Sequence, residues 1–208
     1  MHSNSSVIDT GLYIAKWKHV PHIWHFREVA ALSFGMKPVL GDGYQRMIYS
    51  KSDRIIAISN NVKGEFCGFI PEDKTVIIPN GILPPKVTRY PDHDVERINI
   101  CIVGRVESNK NQMEAVRSVE LLQERERSIV KLHIIGNYKG EYGQQVEQYV
   151  KSHHLDDVIV LHGVQSDVPE MLQDMNIGLM LSIHEAFGRV TVEYMMHKMC
   201  VVSSKYIC

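Results

Sequence analysis

No run of apolar residues in this sequence approaches the ~20 needed to cross a bilayer as a helix. The opening residues Met1-His2-Ser3-Asn4-Ser5-Ser6 lack the basic segment and apolar block of a secretory leader. An excess of either charge is missing too: 23 Lys and Arg stand against 24 Asp and Glu, a formal net charge of -1. That balance excludes a global basic field for nucleic acid or an anionic membrane, and no long local basic patch replaces it. Cysteine is scarce. Cys67, Cys101, Cys200 and Cys208 show no metal-ligand spacing. Cys101 and Cys200 fall in apolar, strand-like runs and are expected to be buried, reduced thiols in a cytoplasmic chain. Internal repeats and low-complexity segments are also missing. What is present is ordinary for a globular protein: 208 residues, 44% hydrophobic and 23% charged, enough for one sizeable core or two small ones.

Short apolar runs alternate with amphipathic stretches. Strands are expected at Arg54–Ser59, Thr75–Pro79, Ile98–Gly104, Lys131–Gly136, Val158–Gly163, Ile177–Ser182 and Cys200–Ser203. Several are continuously apolar, as in Ile100-Cys101-Ile102-Val103, the signature of parallel strands covered on both faces. Helices are expected over Asn111–Arg127, where Met113, Ala115, Val116, Val119 and Leu122 recur at roughly helical spacing, and over Gly143–His153, Val168–Asp174 and Gly188–His197. The pattern is that of a doubly wound α/β protein. Pro84, Pro85, Pro91 and a run of charged residues interrupt it, which divides the chain into a first lobe (1–83), a linker (84–96) and a second lobe (97–208). The first lobe has few strands for a complete domain, and the second lacks a closing helix after its last strand.

Four constellations carry chemistry. In the first, the strand ending at Gly104 runs through Arg105 and Lys110 into a helix. Ligands of open α/β sheets sit at carboxyl strand ends, a helix start offers N–H groups to phosphate, and the two cations suit a diphosphate. A solvated loop with two nearby cations is the alternative. In the second, Ser182 leads through Glu185, Ala186, Phe187 and Gly188 to Glu193, with seven residues between the glutamates. Glu185 can accept from sugar hydroxyls, Glu193 can reach a ribose, and the backbone at 186–188 can meet an oxyanion. A capping carboxylate and a surface glutamate are the alternative. In the third, Gly136 and Gly163-Val164 follow two strands and are expected to leave room for a nucleotide base, though turn glycines are common.

The fourth is His22-Ile23-Trp24-His25-Phe26-Arg27-Glu28, from which His25, Arg27 and Glu28 can face a cleft. A metal stripe of His19, His22 and His25 is disfavoured, since Pro21 forbids the helix that it needs. Asp92-His93-Asp94 has an acid-x-acid form, but it lies in the proline-containing linker and reads as solvated. No metal is expected.

Taken together, these residues resemble glycosyltransferase family 4, which has the GT-B fold of two Rossmann-like lobes. Glu185-Ala186-Phe187-Gly188 through Glu193 is similar to its E-x7-E signature, and Gly104-Arg105 with Lys110 to its phosphate loop. Ser52-Asp53-Arg54-Ile55-Ile56-Ala57-Ile58-Ser59 and Pro79-Asn80-Gly81-Ile82 resemble segments at the end of its first lobe. The resemblance implies retaining transfer from a nucleoside-diphosphate sugar to a saccharide or lipid-linked acceptor in bacterial surface polysaccharide synthesis, without metal or cofactor. It implies cytoplasmic location with peripheral contact at the inner membrane surface. Arg105 and Lys110 would hold the diphosphate, Glu185 and the backbone after it the sugar, Glu193 the ribose, and His25 would stand near the acceptor and the reacting carbon. Gly104, Gly136 and Val164 would line the donor. The family's first strand and closing helices have no counterpart here, so the first lobe is expected to be incomplete and the second nearly complete. A non-catalytic or split subunit needing a complementing chain is the alternative, and a sugar-nucleotide epimerase is a third reading.

Overall fold

The computed structural model describes residues 1–29, 35–36, 39–90 and 96–204. Two compact units emerge. The first comprises Met1–Gly81 with His184–Phe187, and the second holds the described remainder of Ile82–Ile183 and Gly188–Ile207.

The first unit is built on a parallel sheet in the order β1-β2-β3-β4, with β1 His2–Ser3, β2 Ile23–Phe26, β3 Arg54–Ala57 and β4 Thr75–Ile77. Helices α1 (Thr10–Trp17), α2 (Gly41–Ser50) and α3 (Asn60–Glu65) connect them. The run around His25 is therefore a strand, paired in register with Ile23 opposite Arg54 and Phe26 opposite Ala57. Its alternate residues Trp24 and Phe26 are buried and pack edge-on and tilted against Tyr49, each with ring centroids 4.9 Å away. The polar tips of these aromatics find partners, as burial requires. Trp24 Nε1 donates to the Ser5 carbonyl at 2.6 Å and the Tyr49 hydroxyl to that of Ser6 at 3.0 Å. His22 is fully buried between Ser3 and Ser52, its ring nitrogens 2.9 and 3.1 Å from their hydroxyls, so its role is structural.

The second unit is a five-stranded parallel sheet in the order β7-β6-β5-β8-β9. The strands are β5 Ile98–Val103, β6 Val130–Ile135, β7 Ile159–Gly163, β8 Ile177–Met180 and β9 Cys200–Ser203. One face packs Leu132 and Ile134 with Ala115, Val116, Val146 and Val150 from helices α4 (Gln112–Glu120) and α6 (Glu141–Ser152). The other packs Cys101 and Ile135 with Leu172 and Tyr194 from α7 (Val168–Leu172) and α8 (Arg189–Met196). Both faces are covered, which is why the strands read as continuous apolar runs.

Three expectations need correcting. The helix expected over Asn111–Arg127 is two: α4 ends before Leu121, and α5 (Glu124–Ser128) restarts from Gln123 through a reciprocal capping box with Glu126. Cys101 is buried, but Cys200 opens edge strand β9 and is exposed. Residues 88–90, expected to be linker, are fastened to the second unit. Gln173, only 2% exposed, accepts at Oε1 from the Thr88 N–H at 3.0 Å, the Thr88 hydroxyl at 2.8 Å and the Arg89 N–H at 3.1 Å. Arg89 forks onto Asp174 at 2.9 and 2.7 Å, and Lys198 Nζ lies 3.8 Å from the Tyr90 ring centroid. The Asp92-His93-Asp94 reading lies outside the described residues.

Candidate functional site

Chain order in the second sheet reverses between β5 and β8. From β5 the chain moves outward through β6 to β7, then returns to the far side of β5 as β8. Such a switch point opens a crevice at the carboxyl ends of the strands, because the loops on either side leave in opposite directions. Here the opening is pronounced. β5 and β8 pair only through Ile100 with Ile177 and Cys101 with Gly178. Beyond them the Val103 N–H has no strand carbonyl on that side, and it donates instead to the Tyr194 hydroxyl at 2.9 Å. Tyr194 is 0% exposed and lies so close over Gly178 that a Cβ there would collide with its ring.

The two motif loops leave the rim of this crevice. The loop after β5 carries Gly104, Arg105 and Lys110, and the one after β8 begins at Leu181. They are joined: the Ile183 N–H donates to the Asn109 carbonyl at 2.8 Å. The Arg105 side chain is 75% exposed and its Nη1 stands 4.0 Å from Glu107 Oε2, so its fork projects into solvent rather than into a buried pair. Lys110 closes a short turn over Ser108–Lys110, and Asn111 adopts the left-handed conformation (φ 58°) that reverses the chain into α4.

The loop backbone is fixed from beneath. The Val106 N–H donates to the Asn137 carbonyl at 2.9 Å, and the Val106 side chain is buried. Gln112, fully buried, accepts from the Glu107 N–H at 3.3 Å and donates to the Arg105 carbonyl at 3.0 Å. The start of α4 is not an open anion cradle, contrary to expectation, because the Met113 N–H is taken by the Tyr142 hydroxyl at 3.1 Å. A phosphate at this loop would therefore rely on the Arg105 and Lys110 side chains more than on that helix end.

Gly136 and Gly163-Val164 lie at the same rim, at the ends of neighbouring β6 and β7. The room expected at Gly136 is not there. Its φ is 150°, and a Cβ would fall inside the Gly104 backbone carbonyl, so this glycine lets two strand ends touch. At Gly163 the nearest atom to such a Cβ is Tyr138 Cε1, at 3.7 Å, which places an aromatic ring beside exposed Val164.

On the other side of the crevice, Gly188 (φ 73°) precedes α8, and its carbonyl accepts the Thr191 N–H at 2.9 Å. Glu193, one turn in, is three-quarters buried and paired with Arg189 Nε at 3.0 Å. Glu185, Ala186 and Phe187 cluster with the first unit. There the Ser59 hydroxyl donates to the Ala186 carbonyl and Asn61 Nδ2 to that of Glu185 at 3.3 Å, while Ala186 and Phe187 pack on the first core.

His25 belongs to the first unit. Its ring stacks on His2 with centroids 5.5 Å apart, and its buried Nε2 finds no hydrogen-bond partner among the described residues. Burial, and then the Arg27 charge, lower its pKa, which favours the neutral imidazole. Glu28 is committed locally: one carboxylate oxygen accepts from the Ser5 hydroxyl at 2.5 Å, the Ser6 N–H at 2.6 Å and the Ser6 hydroxyl at 2.9 Å. Arg27 donates to Asn80 Oδ1 at 3.1 Å. Among the described residues no three His, Cys, Asp or Glu side chains are grouped to hold a metal, and no helix is long and apolar enough to cross a membrane.

Sequence reasoning missed Gln112, Tyr142 and Tyr194. Gln112 left a signal, since it stands three and four residues before Ala115 and Val116 and so shares their buried face.

No curated protein matches the chain in sequence. Among solved structures, HepE of Anabaena in complex with UDP is 17% identical, with 99% of this chain and 59% of HepE covered and a TM-score of 0.80. A glycosyltransferase of Rickettsia africae is 21% identical, covering 94% of this chain and 60% of its own, with a TM-score of 0.69. The lipopolysaccharide outer core galactosyltransferase WaaB is 18% identical, with coverage of 95% and 61% and a TM-score of 0.67. At these identities the likeness is one of fold, the GT-B fold of two parallel sheets. The chain spans less than two thirds of the length of each of these three. The family model of Glycosyltransferase Family 4 matches residues 1–84. That of glycosyl transferases group 1 matches residues 89–208, more than half of the chain, and to that family the chain belongs.

Proposed function

We propose that this chain carries the donor-binding side of a glycosyltransferase that moves a sugar, with retention, from a nucleoside-diphosphate sugar to a saccharide or lipid-linked acceptor. One observation supports it above the others: the cationic loop after β5 and the loop after β8 flank a switch-point crevice and are joined by the Asn109–Ile183 hydrogen bond. In this reading Arg105 and Lys110 stabilise the charge that develops on the departing diphosphate, a kind of contact whose loss costs ~100–1000-fold in rate. Glu193 takes the ribose, exchanging its bond to Arg189 for sugar hydroxyls. Glu185 and the backbone of Ala186, Phe187 and Gly188 take the transferred sugar. His25, neutral and with an unused nitrogen, stands on the acceptor side. No metal or cofactor is required, since the cations do the work a divalent ion does elsewhere. Bacterial surface polysaccharide synthesis on the cytoplasmic side of the membrane is the setting that fits such a donor.

UDP is the probe of choice, because HepE was solved with it. Calorimetry should show UDP binding to this chain, weakened roughly tenfold or more by Arg105→Ala and by Lys110→Ala, as expected for loss of a charge-assisted contact. Unchanged affinity in both variants would refute the phosphate assignment. A second reading, a subunit completed by a partner chain, draws support from β1, whose outer edge pairs with no strand among the described residues. Robust sugar transfer by the chain alone would exclude it.

A further inference from the structure

We infer that Gln112 is a positioning residue for the diphosphate: its buried amide clamps the backbone on both sides of Val106 and so fixes where Arg105 presents its guanidinium. The inference rests on the donor reading above and adds a residue to it. Three observations carry it. First, Gln112 is 0% exposed, although glutamine is rarely buried without reason. Second, its amide is used in both senses on one short loop, Oε1 accepting from the Glu107 N–H and Nε2 donating to the Arg105 carbonyl. Those backbone groups flank buried Val106, and a loop has no ladder of its own to satisfy them. Third, the left-handed turn at Asn111 brings Gln112 beneath the loop it has just left, so a side chain in the first turn of α4 reaches back to residues 105–107.

Arg105 itself is mostly exposed, with one distant carboxylate neighbour at 4.0 Å. The point from which this side chain reaches out is set by its backbone, and that backbone is held by the Gln112 bond to the Arg105 carbonyl and by the Val106 N–H bond to Asn137. A bidentate contact to phosphate tolerates little angular error, because both N–H vectors must align together.

Gln112→Met keeps the length and volume and removes both hydrogen bonds, whereas Gln112→Glu keeps the acceptor and turns an oxygen toward the Arg105 carbonyl. UDP and uridine affinities would be measured for the wild-type chain and both variants, with amide exchange at Glu107 in the ligand-free protein. We expect UDP binding to fall roughly tenfold or more in Gln112→Met, which loses both buried bonds, and to fall as well in Gln112→Glu, which loses the one to the Arg105 carbonyl, while uridine binding stays unchanged. Exchange at Glu107 should accelerate in Gln112→Met and stay closer to wild type in Gln112→Glu. Equal weakening of UDP and uridine would mark a general loosening of the lobe and overturn the inference. So would Glu107 exchange that the methionine leaves untouched. Failure of the wild-type chain to bind UDP would refute the donor reading instead, and Glu107 exchange would still decide whether Gln112 holds the loop.

Discussion

Tyr194→Phe removes one oxygen atom and tests how the crevice between β5 and β8 is kept open. The hydroxyl accepts from the Val103 N–H at 2.9 Å where β5 has parted from β8. Tyr194 is 0% exposed and Cys101 likewise, so water cannot replace the lost acceptor without disturbing the core. An amide left unpaired in such a place costs about 1–3 kcal/mol. The space vacated by one oxygen adds little, because the ring still rests on Gly178. A loss of about 2 kcal/mol lowers the melting temperature of a chain this long by about 4–8 °C. Tyr149→Phe supplies the control. Its hydroxyl donates to Glu120 at 2.7 Å on a partly exposed helix face, where water substitutes, and about 0.5 kcal/mol or less is expected. Scanning calorimetry of both variants beside wild type decides the matter. A Tyr194→Phe melting temperature within about 1 °C of wild type would show that Val103 finds another acceptor, and that the hydroxyl does not hold the strands apart.

Two further outcomes can be read by the same methods. Gly136→Ala forces a methyl group into the Gly104 carbonyl at a positive φ, and a loss of about 3 kcal/mol is expected from overpacking and backbone strain together; full retention of stability in urea unfolding would contradict the close approach. His133 stacks on His162, with its Nδ1 2.9 Å from the His162 Nε2, and burial, then His162, Lys131 and Arg97, push its pKa down to about 4. The folded state therefore binds fewer protons than the unfolded one between pH 6.5 and about 4. Stability should be full above that window and fall through it on acidification, by about 2 kcal/mol after allowance for partial exposure. His133→Leu should flatten that slope in denaturant titrations at pH 7 and pH 5, and an unchanged slope would assign it to other groups.

How much of this could be read from the sequence varies with the kind of contact involved. All strands of the second sheet were legible, because apolar runs such as Ile100–Val103 have few other homes. The strand Ile23–Phe26 was not read as one. The run from His22 to Glu28 suggests a site through His25, Arg27 and Glu28, yet Glu28 is committed to Ser5 and Ser6, and His22, just before the strand, is a core residue held by two serines. The break between α4 and α5 was hidden by an amphipathic pattern that runs on through Leu122, although Gln123 and Glu126 spelled out a capping box. The motif glutamates and cations were visible by spacing. The contacts that set them in place were not. Asn109 with Ile183, Tyr142 with Met113 and Tyr194 with Val103 are side-chain or backbone bonds between segments far apart in the chain, and local propensity carries no information about them. Gly136 is instructive in the other direction: a glycine after a strand suggested vacancy, and the backbone uses it for contact.

The grip of Gln173 on Thr88 and Arg89 sets where the second unit may be trimmed. Its side-chain oxygen serves three donors, all from residues that precede the first strand of that unit. A protein engineer cutting at Ile98, where regular structure begins, would strip away all three donors. An acceptor would then be stranded in the interior beside α7, a defect of about 1–3 kcal/mol in a small domain. Cutting before Thr88 keeps the strap, so the sensible amino terminus for an independent second unit lies between Pro85 and Thr88, and Thr88 and Arg89 belong to the folded body.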